Sequence, residues 1–177
     1  MLAKISANRL KKAVGKVVPS PQNAFVEGRQ ILDVALIANE VIDSLLKRNE
    51  NSVLCMLDLK KTYDYINWNF LLLVMQKIGF KEKWASWIRW CISTMTFAIL
   101  VNGTPSSFVH NTRELRQRDP LSPYLFVIVM EVLSSLINRA MSGGFFSSCR
   151  VKEKCRDGAR ITHLLFIDDT FVVCKAS

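Results

Sequence analysis

The chain predicts an α+β fold, and three observations carry that reading. Apolar residues recur at helical spacing over several long stretches, short apolar runs bounded by turn residues read as strands, and Asn-Gly and Asp-Asp pairs sit between runs as hairpin turns. Half of the 177 residues are apolar and 22% are charged, the composition of one globular domain or a large piece of one. Seven Gly and five Pro, scattered rather than periodic, exclude collagen-like and low-complexity classes. A chain of this length can bury a core without disulfide or metal.

From Leu2 to Val18, Ile5, Leu10, Val14 and Val17 recur among Arg9, Lys11, Lys12 and Lys16, which predicts a basic surface helix stopped by Pro19 and Pro21. Gly28 precedes a second helical run, Arg29 to Arg48, with Ile31, Leu32, Ala35, Ala38, Ile42 and Leu45 along one broad core-covering face. Val53 to Leu57 reads as a buried strand that ends in Asp58. Two helices with apolar and aromatic residues facing inward follow at about Trp68 to Ile78 and Lys83 to Ser93, on either side of Gly79. Strands Thr96 to Val101 and Phe108 to Asn111 flank the turn dipeptide Asn102-Gly103.

Asp119-Pro120 opens a long helix to about Met141, because Asp caps free amides and Pro suits the first helical position; Gly143-Gly144 ends it. Ser148 to Val151, Ile161 to Ile167 and Thr170 to Cys174 read as strands, with Asp168-Asp169 in the last turn. No internal repeat or long linker divides the chain.

Twenty-four Lys and Arg against fifteen Asp and Glu leave a net charge of +9, which points to phosphate-rich partners or to a generally basic soluble surface. Successive stretches 1–50, 51–100, 101–150 and 151–177 carry +3, +3, +2 and +1, so the charge is diffuse along the chain. Cys55, Cys91, Cys149, Cys155 and Cys174 form no C-x-x-C pair, and their odd number fits a reducing compartment, nuclear or cytoplasmic. His110 and His163 stand far apart, which argues against structural zinc and leaves both as ordinary polar residues. No secretory signal pattern opens the sequence. The most apolar stretch, Tyr124 to Met130, is interrupted by Glu131, Ser134 and Ser135 and reads as a buried core helix, so no membrane partner is expected.

Asp58 at a strand end and Asp168-Asp169 in a late turn resist explanation as packing. A carboxylate beside an apolar strand suffers desolvation, and adjacent Asp residues repel each other. A divalent cation removes both penalties, since Mg²⁺ takes hard oxygen ligands from a few carboxylates and keeps waters and phosphates around it. Asp58 and Asp168 are 110 residues apart, so only strands adjacent in space would unite them. Turns are also rich in Asp, and a turn without chemistry accounts for the same pattern.

Four ordered blocks add context: Gln22-Asn23-Ala24-Phe25-Val26-Glu27-Gly28-Arg29, Leu57-Asp58-Leu59-Lys60-Lys61-Thr62-Tyr63-Asp64, Leu115-Arg116-Gln117-Arg118-Asp119-Pro120-Leu121-Ser122-Pro123 and Phe166-Ile167-Asp168-Asp169. Together they resemble the reverse transcriptase domain of non-LTR (LINE-type) retrotransposons, particularly those of plants. The resemblance implies a polymerase palm, an antiparallel sheet backed by helices, over about residues 51–177, with part of the fingers over about 1–50. It implies RNA-directed DNA polymerase chemistry on an RNA template, a DNA primer and dNTPs, with Mg²⁺ (or Mn²⁺) as cofactor. By motif, Asp58 and Asp168 resemble the metal-binding aspartates, and Asp169 the neighbouring carboxylate of the F-x-D-D turn. Tyr63 matches the aromatic that screens the sugar 2′ position, or else is a core aromatic. Gln117 matches the residue along the incoming nucleotide and template. Arg116 adds positive charge near phosphates, or is a solvated charge. Gln22 and Arg29 fall in the template-touching finger segment, and a structural turn fits them equally well.

Three positions depart from the family pattern. Gly is usual where Glu114 and Arg118 stand, and Ala where Ile167 stands. A glycine at position 118 permits close approach and backbone angles that Arg dislikes. On the family pattern the chain would start inside the fingers and stop eight residues after Asp169, without thumb or endonuclease. The expectation is therefore a partial domain of a degenerate element, inactive as an isolated chain. A non-catalytic nucleic-acid-binding remnant and a relic without function are the alternatives.

Overall fold

The structure, a computed structural model, describes residues 2–18, 21–49, 51–94, 96–110, 113–153 and 156–175. Pro19, Asn111 and Cys155 lie outside the described residues. The chain forms two compact units, Met1–Val17 with Lys61–Val129 and Val18–Lys60 with Met130–Ser177.

The first unit holds α1 (Leu2–Val17), α3 (Thr62–Tyr65), α4 (Trp68–Lys77), α5 (Glu82–Ser93), the hairpin β2 (Thr96–Val101) and β3 (Thr104–His110), and the start of α6 (Ser122–Ser142). Ala7, Leu10 and Val14 bury one stripe of α1, and a Ser6–Cys91 side-chain hydrogen bond ties that helix to α5. Asn67 caps α4, its side-chain oxygen accepting from the N–H groups of Asn69 (2.9 Å) and Phe70 (3.2 Å). Asn102 and Gly103 both take positive φ, as a two-residue I′ turn demands.

Two expectations for this unit are corrected. On α5 the buried row is Ala85, Ile88 and Ile92, while Trp87 and Trp90 point outward, 46% and 55% exposed. Residues three apart drift around a helix, so Trp84, Trp87 and Trp90 do not share the buried row. Helix α6 begins at Ser122 rather than at Asp119-Pro120. Asp119 does bind free amides, with its side chain accepting from Leu121 N–H (2.8 Å) and its carbonyl from Ser122 N–H (3.3 Å), which makes a turn ahead of the helix.

The second unit holds α2 (Ile31–Arg48), β1 (Ser52–Asp58), most of α6, a hairpin of β4 (Cys149–Glu153) and β5 (Arg156–Ile161), then β6 (His163–Phe166) and β7 (Asp169–Lys175). Strands β1, β7 and β6 form an antiparallel sheet in that order. Val41 of α2 and Val173 of β7 are fully buried together, with Ile37, Leu45, Ile161 and Phe171 around them. From α6, Ser134 Oγ lies 2.8 Å from His163 Nε2, and Thr162 Oγ1 lies 2.8 Å from Nδ1. Burial holds the His163 imidazole below its ordinary pKa, as befits a satisfied core histidine. The Pro21–Asn23 segment runs beside β6, where Leu165 N–H donates to Pro21 C=O (2.8 Å) and Asn23 N–H to Leu165 C=O (3.1 Å).

Here three readings are corrected. The strand expected to be buried, β1, is largely exposed, because among the described residues it has one partner strand and lies at the sheet edge. The run expected as one strand from Ile161 to Ile167 breaks at Thr162, so that β5 pairs with β4 and β6 with β7. Helix α2 buries Val41 and leaves Leu32 65% exposed, because it is apolar around more of its circumference than one sheet face can cover. Finally, α6 runs 21 residues and is long and apolar enough to cross a membrane by length and composition, although Leu125, Phe126, Val127, Ile128 and Ser134 are buried within the protein.

Candidate active site

In the second unit the strand register unites the carboxylates. Antiparallel pairing of β1 with β7 sets Asp58 directly opposite Asp169, and Leu59 N–H donates to the Asp168 carbonyl at 3.1 Å. Phe166 pairs with Asp169, which leaves Ile167 and Asp168 as a two-residue hairpin loop. Such loops require a positive φ at the first position, and Ile167 has φ +55°. A β-branched side chain strongly disfavours that conformation, so the turn carrying Asp168 is strained.

Asp58 and Asp169 are exposed and Asp168 is half-buried, so solvent reaches the carboxylates at the strand ends. Among the described residues no group of three or more His, Cys, Asp or Glu side chains gathers to hold a metal. The donors are hard oxygens on adjacent strands, which fits a cation that takes a few protein carboxylates and fills its shell with water and phosphate. Beside them lies a cavity of about 310 Å³ between α2 and the sheet, lined by Ala35, Ala38, Phe171, Asp58 and Asp169 among others.

The same unit places Gln22 and Arg29. Gln22 is 1% exposed, its Oε1 accepts from Ala24 N–H (3.0 Å), and its Nε2 is buried without a hydrogen-bond partner. The Arg29 guanidinium donates to the carbonyls of Gln22 and Val18. Both residues thus knit their own loop.

In the first unit, Tyr63 is half-buried and stacks on Phe126, with ring centroids 4.7 Å apart and planes 10° from parallel. Its carbonyl accepts from Leu115 N–H (2.8 Å), and Trp68 Nε1 donates to Glu114 C=O (2.9 Å), so the Glu114–Leu115 segment is fixed. Arg116, Gln117 and Arg118 are exposed beyond it. Glu114 (φ +86°) and Arg118 (φ +67°) both take left-handed backbone, the two positions where the family pattern has Gly.

Three features went unread in the sequence. Phe126 gave no signal as the support of Tyr63, since it sits in a uniformly apolar run. Glu131 breaks that run, and burial, opposed by a hydrogen bond from Ser135, pushes its carboxyl up to about 7. The net charge, diffuse along the chain, is segregated in space: the first unit carries thirteen Lys and Arg against four Asp and Glu, the second eleven against eleven.

Comparison with known proteins agrees with this geometry. An R2 retrotransposon Pol polyprotein from Popillia japonica is 27% identical over 175 residues, which are 98% of this chain and 24% of that protein. The transposon TX1 149 kDa protein of Xenopus laevis is 21% identical over 81% of this chain and 11% of its own length. An uncharacterized mitochondrial protein of Arabidopsis thaliana is 49% identical over 71 residues, 40% of this chain and 56% of that one. The chain therefore spans about a quarter of the R2 relative and about half of the plant one. Among solved structures, telomerase from Candida tropicalis aligns with a TM-score of 0.58 at 16% identity, over 97% of this chain and 32% of that one. Telomerase from Candida albicans, solved with a fragment of telomeric RNA, aligns with a TM-score of 0.59 at 11% identity, over 98% and 30%. These likenesses establish the α+β polymerase palm fold. The family model for reverse transcriptase (RNA-dependent DNA polymerase) matches residues 1–177, and the chain belongs to that family.

Proposed function

We propose that the chain is part of an RNA-directed DNA polymerase of a LINE-type retrotransposon, working on RNA template, DNA primer and dNTPs. The observation that carries this reading is the register of β1 against β7, which brings Asp58 to the Asp168-Asp169 turn across more than a hundred residues of chain. Asp58 and Asp168 hold the ions in this reading, with Asp169 beside them. Bound Mg²⁺ or Mn²⁺ supplies activation of a primer 3′-hydroxyl and neutralises the departing pyrophosphate.

The chain's own residues position the reactants. Tyr63, braced flat against Phe126, is a rigid wall suited to excluding a sugar 2′-hydroxyl. Exposed Arg116 and Gln117 are available to phosphate and base. For Gln22 and Arg29, burial and backbone hydrogen bonds support a loop-holding role in place of template contact.

The test is primer extension on an RNA template by this chain joined to the remaining polymerase segments of an R2-type relative. Extension that disappears on Asp58→Asn and on Asp168→Asn supports the proposal, and extension unaffected by both sinks it. A second reading, nucleic-acid binding without catalysis, is favoured by the concentration of positive charge in the first unit and by strained Arg118.

A further inference from the structure

We propose that the outer face of α5, built on Lys83, Trp87 and Trp90, is a stacking surface for single-stranded nucleic acid. It belongs to the first unit alone and goes beyond the polymerase reading, holding whether or not the carboxylates of the second unit bind metal.

Lys83, Trp87 and Trp90 recur at spacings of four and three and so form one stripe. The helix is anchored by its opposite face, where Ala85, Ile88 and Ile92 are 5% exposed or less, so the two outer indoles are not needed to hold it. Trp87 is held by its neighbours. Trp84 abuts Trp87 with centroids 6.2 Å apart and planes tilted by 51°, and Lys83 Nζ lies 5.9 Å from the Trp87 ring centroid.

Composition identifies the occupant. The exposed residues of α5 are Glu82, Lys83, Ser86, Trp87, Arg89, Trp90 and Ser93, two flat aromatics, two cations, two hydroxyls and one carboxylate, without one aliphatic side chain. Unstacked bases take indole faces whatever their sequence, and Lys83, on the same stripe as the two indoles, is available to the phosphates between them. The unit's thirteen cations against four anions supply the long-range attraction that a polyanion requires. Helix α1, packed on α5, adds Arg9 one turn from the Ser6–Cys91 contact. A duplex keeps its base faces stacked inside and offers this stripe only phosphate, so single strands are preferred.

The test uses the full chain in the presence of a metal chelator, which separates this inference from the polymerase reading. Binding of a labelled short oligouridylate is followed by anisotropy. Trp87→Ala and Trp90→Ala should each weaken binding about tenfold, with Trp87→Phe and Trp90→Phe recovering most of the loss and a duplex of equal length competing poorly. The proposal is overturned if the double alanine variant, melting as the parent does, binds equally well, or if duplex competes as strongly as single strand. It is also overturned if the double variant loses only self-association, which would make the face a protein contact.

Discussion

Asp58 and Asp169 face each other across the β1–β7 pair, 111 positions apart in the chain, and like charges directly opposed on a sheet destabilise it. Without a divalent cation, Asp58→Asn should therefore raise the melting temperature slightly, by the equivalent of about 0.5 kcal/mol. Mn²⁺ should then stabilise the parent and leave the variant unmoved. Calorimetric melts with and without Mn²⁺ check both halves, and a variant stabilised by Mn²⁺ as much as the parent would remove Asp58 from the metal site.

Glu114 and Arg118 lie in left-handed backbone, which costs an L-residue about 1–2 kcal/mol, while glycine gives back part of that through its looser unfolded state. Glu114→Gly and Arg118→Gly should each stabilise the chain by about 0.5 kcal/mol in urea titrations. Arg116→Gly, at a residue without positive φ, should lower stability or leave it unchanged. In a complete polymerase carrying this segment, Arg118→Gly should also raise primer extension, because a displacement of about 1 Å can cost on the order of a hundredfold in rate.

Glu131 titrates at about 7 in the fold against an ordinary 4.5, so between those values the folded chain holds a proton that the unfolded chain has lost. Its contribution to stability is complete below about 4.5, declines as pH rises and is gone above about 7. Glu131→Gln keeps a neutral hydrogen-bonding group, and its melting-temperature advantage over the parent should be near zero in acid and largest at mildly alkaline pH. His163, depressed by burial, acts with the opposite sign, losing stability as pH falls below 6.5, and is common to both proteins. A gap independent of pH would show that Glu131 ionises freely in the fold.

The elements with long periodic patterns were legible because period and capping chemistry are local: α1, α2, α4, α5 and the Asn102-Gly103 hairpin fall within a few residues of expectation. The strained glycine-like positions were legible too, since Glu114, Arg118 and Ile167 each replace a small residue of the family pattern and each takes positive φ. What stayed hidden depends on tertiary pairing. Arg156–Ile161 is too polar to announce a strand and forms one against Cys149–Glu153. Gln22 looks like a surface amide until Leu165 closes over its backbone. The charge surplus belongs to one unit, and that unit is discontinuous in sequence, so counting along the chain dispersed it.

The exposure of β1 carries the last prediction. Val53, Leu54, Met56 and Leu57 are 52%, 40%, 74% and 42% exposed on a strand that, among the described residues, pairs only with β7. Before Asp58 the strand holds no Lys, Pro or other charge, the usual devices that keep an edge from recruiting another chain. Backbone groups on a flat apolar edge offer a template for a further strand, so concentrated protein should self-associate through β1. Met56→Lys places a charge at the most exposed of these positions, where little packing is lost, and should abolish the association without lowering the melting temperature. Light scattering across a concentration series measures the first effect and thermal melts the second. Association that persists in Met56→Lys and disappears in the Trp87→Ala, Trp90→Ala double variant would move the sticky surface from the sheet edge to α5.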